Sequence, residues 1–368
     1  MSNWVETKIR DIAIINYGKA LTFLNRYPGK FPIYGSAGLI GYHFKSVTDS
    51  PGIIIGRKGN VGKVYISNEP FWPIDTVYYI SRDEIKCDFK FLFYLLQSLG
   101  LENLNEDTAV PGLNRDTVYG IRIPLPPRDI QVAIGSLLDS LDQKIGVLER
   151  QNATLGKMAD TIFSQRFLAD QSPYWPQKPL TTFGPIIAGQ TPSKRNKLFY
   201  HNGTVPFIKI PDMHDNVFIL TTKDKLTDLG ALSQSRRIVP PHSILVSCLG
   251  TVGLVSFNAV AGHTNQQINS IVPEVDFYRY YLYCYLKHLS SLLINMASGS
   301  TVTPNLNLSN FSKIELPQPP NRLLVDFHRD VSLLFNRILI NSQQILRLKT
   351  IFTMVLPQIF NKTINISA

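Results

Sequence analysis

Residues 123–162 read IPLPPRDIQVAIGSLLDSLDQKIGVLERQNATLGKMADTI, and residues 316–355 read LPQPPNRLLVDFHRDVSLLFNRILINSQQILRLKTIFTMV. Each stretch opens on a proline cluster, Pro124 with Pro126-Pro127 or Pro317 with Pro319-Pro320, and then turns helical. Proline suits a helix start, because the N–H it lacks would find no partner in the first turn. Behind the prolines, apolar residues alternate three and four apart. The first seam is Ile134, Leu138, Leu141, Ile145, Leu148, Asn152, Leu155, Ala159 and Ile162. Adding 193 gives the second: Phe327, Val331, Leu334, Ile338, Asn341, Ile345, Leu348, Phe352 and Val355. A sustained period of 3.5 keeps one stripe facing a partner, which predicts two long helices joined along a seam, the first from about Arg128 to Leu168. The blander reading is that each helix packs only on its own domain.

Each seam carries one polar residue, Asn152 or Asn341. A single buried Asn fixes coiled-coil register at some cost in stability. If the helices are antiparallel and related by a pseudo-two-fold axis, facing residues have numbers with a constant sum, and pairing the asparagines sets it at 493. The same sum places Leu141 opposite Phe352, Ile145 opposite Leu348, Leu148 opposite Ile345, Leu155 opposite Ile338, Ala159 opposite Leu334 and Ile162 opposite Val331. A shift of one heptad would leave each Asn against an aliphatic side chain, without a hydrogen-bond partner.

The duplication extends outward from the helices. Trp4 and Gly18 match Trp175 and Gly189, and Lys30-Phe31-Pro32-Ile33 matches Thr204-Val205-Pro206-Phe207. Pro51-Gly52-Ile53-Ile54-Ile55 followed by Gly59-Asn60-Val61-Gly62 recurs as Pro241-His242-Ser243-Ile244-Leu245 followed by Gly250-Thr251-Val252-Gly253. Both read as a strand, a tight glycine turn and a second strand. Asp75-Thr76 matches the region of Asn265-Gln266, and the aromatic stretches Phe89 to Leu96 and Phe277 to Leu286 each predict a short helix. Thr108 to Asn114 aligns with Thr301 to Asn307. Offsets growing from 171 to 193 imply one shared fold with short loop insertions. The expected class is α+β, with two related domains of mixed α/β type, each followed by a long helix, and the two helices forming an antiparallel coiled coil.

Composition agrees with folded domains. Of 368 residues, 44% are hydrophobic and 17% charged, which supports packed cores and argues against disorder. No long uncharged apolar run and no signal-like start are seen, so a cytoplasmic protein is expected. Cys87, Cys248 and Cys284 lie far apart without zinc-ligand spacing, and reduced, buried thiols are expected. A net charge of +10 favours a polyanionic partner such as nucleic acid.

Catalytic motifs are missing where they would be sought. Gly56-Arg57-Lys58-Gly59-Asn60-Val61-Gly62-Lys63-Val64 looks like a phosphate loop, but Val64 stands where a Ser or Thr must follow the lysine. Neither Pro126-Pro127 nor Pro319-Pro320 has the flanking residues of an adenine-methyltransferase motif, and no Asp/Glu-x-Lys follows Pro211-Asp212 at a nuclease distance. His201, His214, His242 and His263 have no triad or metal spacing, so no metal site is expected.

Two proline-ended globular units, each followed by a heptad helix, resemble the specificity subunit of type I restriction-modification enzymes. The resemblance is carried by Ile123-Pro124-Leu125-Pro126-Pro127 leading into Gln131, Ile134, Leu138-Asp139, Leu141-Asp142 and Ile145, together with Gly59-Asn60-Val61-Gly62-Lys63-Val64 and Ile208-Lys209-Ile210-Pro211-Asp212-Met213. It implies target-recognition domains at 1–126 and 171–319 and spacer helices at 127–170 and 320–368. It also implies a non-catalytic subunit that reads a bipartite, asymmetric site in double-stranded DNA and docks two methyltransferase subunits. Those partners would hold S-adenosylmethionine, and separate restriction subunits would use ATP and Mg. The second helix departs from the pattern, with Asn321-Arg322-Leu323 where a Gln-containing start is usual. A protein-only coiled-coil scaffold and an enzyme with an unrecognised site are the alternatives. A scaffold would show no salt-dependent DNA binding, and an enzyme would turn over as a single chain.

Lys and Arg neutralise phosphates, while Arg, Asn and Gln pair with base edges. On that chemistry the candidate DNA-binding residues are Arg57, Lys58, Asn60 and Lys63 at the first glycine turn, with Asn114 and Arg115 after the proline loop. In the second domain they are Lys194, Arg195 and Lys197 on a basic loop, and the adjacent amides Asn265, Gln266 and Gln267. Asn and Gln can instead cap backbone groups locally.

Overall fold

The computed structural model describes residues 4–104, 112–168, 175–298 and 306–360. The matched segments Thr108–Pro111 and Thr301–Asn305 lie outside the described residues. The chain forms two compact units, one from Met1–Ile145 with Arg347–Ala368 and one from Gly146–Leu346. Both long helices therefore contribute to both units.

In the first unit, a four-stranded antiparallel sheet has the order Asn16–Tyr17, Val77–Ser81, Gly52–Gly56, Val64–Ser67. Its central run Ile53-Ile54-Ile55 has no exposed surface, since both faces are covered. A second sheet pairs Phe31–Gly35 with Gly38–His43 and, in parallel, with Trp72–Pro73. The short helix Phe89–Ser98 buries Phe91 to Leu96, and Asp88 caps it by accepting from the Phe91 N–H at 2.9 Å.

The second unit repeats this plan. Its main sheet runs Ile186–Ala188, Ile268–Ile271, Ile244–Ser247, Val255–Asn258, Phe218–Ile219, and Ile244-Leu245-Val246 replaces the isoleucine run with no exposed surface. A smaller sheet joins Lys225–Leu226, Val205–Ile208 and His263–Thr264, and the short helix is Arg279–His288. Each unit also closes a two-stranded ribbon that leads into its long helix: Val5–Lys8 with Arg122–Leu125, and Gln177–Pro179 with Glu315–Pro317.

The long helices span Arg128–Phe167 and Asn321–Phe360. Every residue of both heptad seams is buried or half-buried. The seams are nevertheless more than helix-to-helix contacts. Ile134 and Leu138 belong to the core of the first unit, with Leu356, Ile359 and Phe360 of the second helix. Ala159, Phe163 and Phe167 join Phe327, Val331, Phe335 and Ile338 in the core of the second unit. Within that unit the helices run antiparallel, because Arg166 pairs with Asp330 near one end while Asn152 meets Asn341 further along. The Arg166 guanidinium holds the Asp330 carboxyl below its ordinary range. Asn341 Nδ2 donates to Asn152 Oδ1 at 2.9 Å and to Gln151 Oε1 at 3.4 Å, and Asn152 Nδ2 donates to Ser342 Oγ at 3.3 Å.

The helix starts differ. In the first, buried Gln131 accepts from the Asp88 N–H and donates to Pro126 O, both at 2.8 Å, tying helix, short helix and proline loop together. In the second, the repeat puts buried Leu324 at that position, so apolar packing substitutes for the amide. Among the described residues no helix is long and apolar enough to cross a membrane.

Candidate nucleic-acid interface

The glycine turn of the first unit is built by its backbone. Gly56 N donates to Lys63 O at 2.7 Å and Gly62 N to Gly56 O at 2.8 Å, while Gly59 (φ +79°) and Gly62 (φ +74°) occupy the left-handed region. At Gly62 even a methyl group would lie 2.2 Å from the Glu102 nitrogen. Two further segments pin the turn: Arg57 N donates to Thr76 O at 2.9 Å, and Leu113 N donates to Arg57 O at 3.0 Å. The scaffold is thus fixed without using the side chains of Arg57, Lys58, Asn60 or Lys63. Lys58, Asn60 and Lys63 are exposed on it.

Arg57 and Arg115 converge on one ring. The guanidinium carbons lie 5.0 Å and 4.8 Å from the centroid of Tyr17, within cation–π range, and Arg115 also reaches Tyr119 at 5.8 Å. Arg57 donates to Asp75 O at 3.3 Å, and Arg115 Nε is buried without a hydrogen-bond partner. Among the described residues neither arginine pairs with a carboxylate. Two like charges beside one exposed ring repel each other, and an anion placed between them would relieve that repulsion. Asn114 instead caps the helix Arg115–Gly120, accepting from the Asp116 N–H at 2.8 Å, and so orients Arg115.

In the second unit the same four backbone bonds recur. Ser247 N donates to Leu254 O at 3.0 Å, Gly253 N to Ser247 O at 3.0 Å, Cys248 N to Gln267 O at 2.7 Å and Leu306 N to Cys248 O at 2.8 Å. Gly250 and Gly253 have φ of +79° and +93°. The side chains on this frame are entirely different: Cys248, Leu249, Thr251 and Leu254 stand where the first unit has Arg57, Lys58, Asn60 and Lys63. Basic residues sit elsewhere, with Lys194, Arg195 and Lys197 all exposed on one loop. Gln266 is exposed and bound to that region through the Thr191 hydroxyl. Asn265 is buried and engaged locally, donating to Gln267 Oε1 at 2.8 Å and accepting from the Gln267 N–H at 3.2 Å. Gln267 is half-buried and donates to Leu249 O at 3.4 Å.

Tyr17 and Tyr119 escaped the sequence reading. No spacing rule links residues 17, 57 and 115; the link is the sheet order, which sets Tyr17 opposite Tyr78 and Tyr78 opposite Ile55.

A sequence profile of the type I restriction modification DNA specificity domain matches residues 1–157 and again residues 174–322. The chain belongs to that family. It is 47% identical over 189 residues to the HindI type I restriction enzyme specificity subunit of Haemophilus influenzae, a match covering 51% of this chain and 41% of that one. With the MjaIX specificity subunit of Methanocaldococcus jannaschii it shares 23% identity over 334 residues, covering 83% and 76% of the two chains. The chain thus aligns with less than half the length of the HindI subunit. The fold is similar to that in a crystal structure of the type I restriction-modification system S subunit from M. genitalium, with a TM-score of 0.67 at 17% identity, covering 100% of this chain and 97% of that one.

Proposed function

We propose that this chain is the DNA-recognition subunit of a type I restriction-modification complex and that each unit reads one element of a bipartite, asymmetric site. One observation carries the reading. The two glycine turns keep the same backbone hydrogen bonds and the same positive-φ glycines, but where the first has Arg57, Lys58, Asn60 and Lys63 the second has Cys248, Leu249, Thr251 and Leu254. A duplicated frame with substituted lettering is what reading two different sequences requires, because base identity is read by side chains and position is set by the scaffold. The cationic Arg57 and Arg115 in one unit and Lys194, Arg195 and Lys197 in the other supply the attraction to phosphate.

In this reading the chain performs no chemistry. It positions two methyltransferase subunits, which hold S-adenosylmethionine, and through them restriction subunits that use ATP and Mg. The exposed polar faces of the two long helices are the surfaces proposed for methyltransferase docking. The test is to map adenine methylation in a host with and without the gene. Loss of one interrupted motif on deletion supports the reading. An unchanged methylation map, in a host that makes the methyltransferase partner, overturns it.

A further inference from the structure

Both units display a leucine at the tip of the same turn. Short 3₁₀ turns lie at Phe23–Asn25 and at Lys197–Phe199, and their offset of 174 is that of the matching strands Phe31–Gly35 and Val205–Ile208. Leu24 is 88% exposed and Leu198 is 68% exposed. The residues on either side have diverged, Phe23 to Lys197 and Asn25 to Phe199, while the leucine is present in both copies. A single exposed leucine needs no explanation. The same leucine on the same turn in two otherwise divergent copies does.

Neither turn is a loose tip. In the first unit Trp72 Nε1 donates to Lys19 O at 2.9 Å, Asn25 N donates to Thr22 O at 3.0 Å, and Gly29 passes so close to Phe44 that a methyl group would lie 2.2 Å from its Cα. In the second, the Thr227 hydroxyl donates to Leu198 O at 2.7 Å, Thr227 N donates to Phe199 O at 2.9 Å, and Gly203 abuts the backbone of Leu226. The chain on either side of each turn is cationic, although in the second unit Asp228 follows the Thr227 that is bonded to the turn and Lys209 pairs with Asp224. No Asp or Glu occurs between Asp11 and Asp49, a stretch holding Lys19, Arg26, Lys30 and Lys45, and none between Asp170 and Asp212, a stretch holding Lys178, Lys194, Arg195, Lys197 and Lys209.

We propose that Leu24 and Leu198 are DNA wedges, each inserted between stacked base pairs of the element that its unit reads. Apolar wedges held among cations are a recognised way to open a base step, and burying one leucine side chain gains free energy of the same order as the unstacking loses. The cations hold the phosphates while the turn presents the leucine. This rests on the proposed reading of DNA, and it adds sequence selection through deformability, because pyrimidine–purine steps open most easily.

The test uses the full chain assembled with its methyltransferase subunits, on a duplex carrying the site mapped in the host. 2-Aminopurine is placed in turn at each position except the methylated adenine. The wild-type complex should brighten the probe at one step in each half-site. Leu24→Ala should abolish one signal and Leu198→Ala the other, each weakening site affinity about ten-fold, and Leu24→Met should restore the first. Unchanged signals in both alanine variants, or no brightening in a wild-type complex that binds its site specifically, overturn the wedge alone. Loss of the methyltransferase from the Leu24→Ala complex in DNA-free gel filtration overturns it in favour of a protein contact. A wild-type complex that prefers no site overturns the DNA-specificity reading itself.

Discussion

Replacing both seam asparagines with leucine, Asn152→Leu with Asn341→Leu, should make the protein more stable. Asn341 is fully buried, and although its Nδ2 donates to Asn152 Oδ1 at 2.9 Å, its own Oδ1 is buried with no partner. The substitution removes three amide hydrogen bonds, the 2.9 Å one worth about 1 kcal/mol and those at 3.3 and 3.4 Å about 0.5 kcal/mol together, along with an unpaired buried carbonyl that costs about 1–3 kcal/mol. It adds a buried leucine at position 341 worth about 1.5–3 kcal/mol, while position 152 is only half-buried and adds little. The balance is a gain of roughly 2–3 kcal/mol. The second unit runs from Gly146 to Leu346, a size at which each kcal/mol moves Tm by about 2–4 °C, so a rise of about 5–10 °C is expected. Circular dichroism at the helical band during thermal unfolding of the full chain measures it. The single change Asn341→Asp, which puts a carboxylate at a fully buried position, should cost about 3 kcal/mol. A double-leucine variant that melts at or below the wild type would refute the reasoning. The amides would then be holding the seam together, when the account has them selecting its register at a cost.

Three further outcomes follow from the geometry. Arg57→Ala and Arg115→Ala should each weaken DNA binding by the assembled complex and lower the slope of log affinity against log salt by about 1, read by fluorescence anisotropy across a salt series; an unchanged slope in both would remove the Tyr17 cluster from the interface. Gly62→Ala, at φ +74° and with its methyl 2.2 Å from the Glu102 nitrogen, should destabilise the first unit by about 2–4 kcal/mol in denaturant unfolding, and a near-neutral result would contradict the turn geometry. Burial pushes the Cys87 and Cys248 thiols up to about 12 and raises that of Cys284 too, so none offers thiolate at pH 8. A thiol reagent should therefore find three cysteines in denaturant and essentially none in the folded chain.

The architecture was legible because the signals behind it are periodic. Prolines at 124, 126 and 127 and the seam from Ile134 to Ile162 announce a long helix, and the matching set 193 residues later announces its duplicate. The glycine pairs at 59 and 62 and at 250 and 253 were readable for the same reason, since only a left-handed turn demands glycine at those places. The site was less legible. Lys58, Asn60 and Lys63 are presented on the turn that their neighbours suggested, whereas Asn114 and Asn265 look like base readers in sequence and serve as a helix cap and a buried local bridge in the structure. Amide side chains hydrogen-bond backbone as readily as bases, so sequence alone cannot separate the two uses. Tyr17 was invisible because its partners lie 40 and 98 residues away, brought together only by strand order. The seam also hides a division of labour: Ile134 and Phe327 fit the heptads as well as Asn152 does, yet they belong to domain cores.

The most direct measurement of the central claim, that two units read two separate DNA elements, is a domain exchange. Residues 180–310 are replaced by the corresponding segment of another specificity subunit with a known target, and adenine methylation is mapped by single-molecule sequencing in a host carrying the methyltransferase partner. The account predicts that one half of the interrupted motif changes to the donor's half while the other half is kept. A chimera that folds and methylates, but whose motif changes in both halves or in neither, would contradict it.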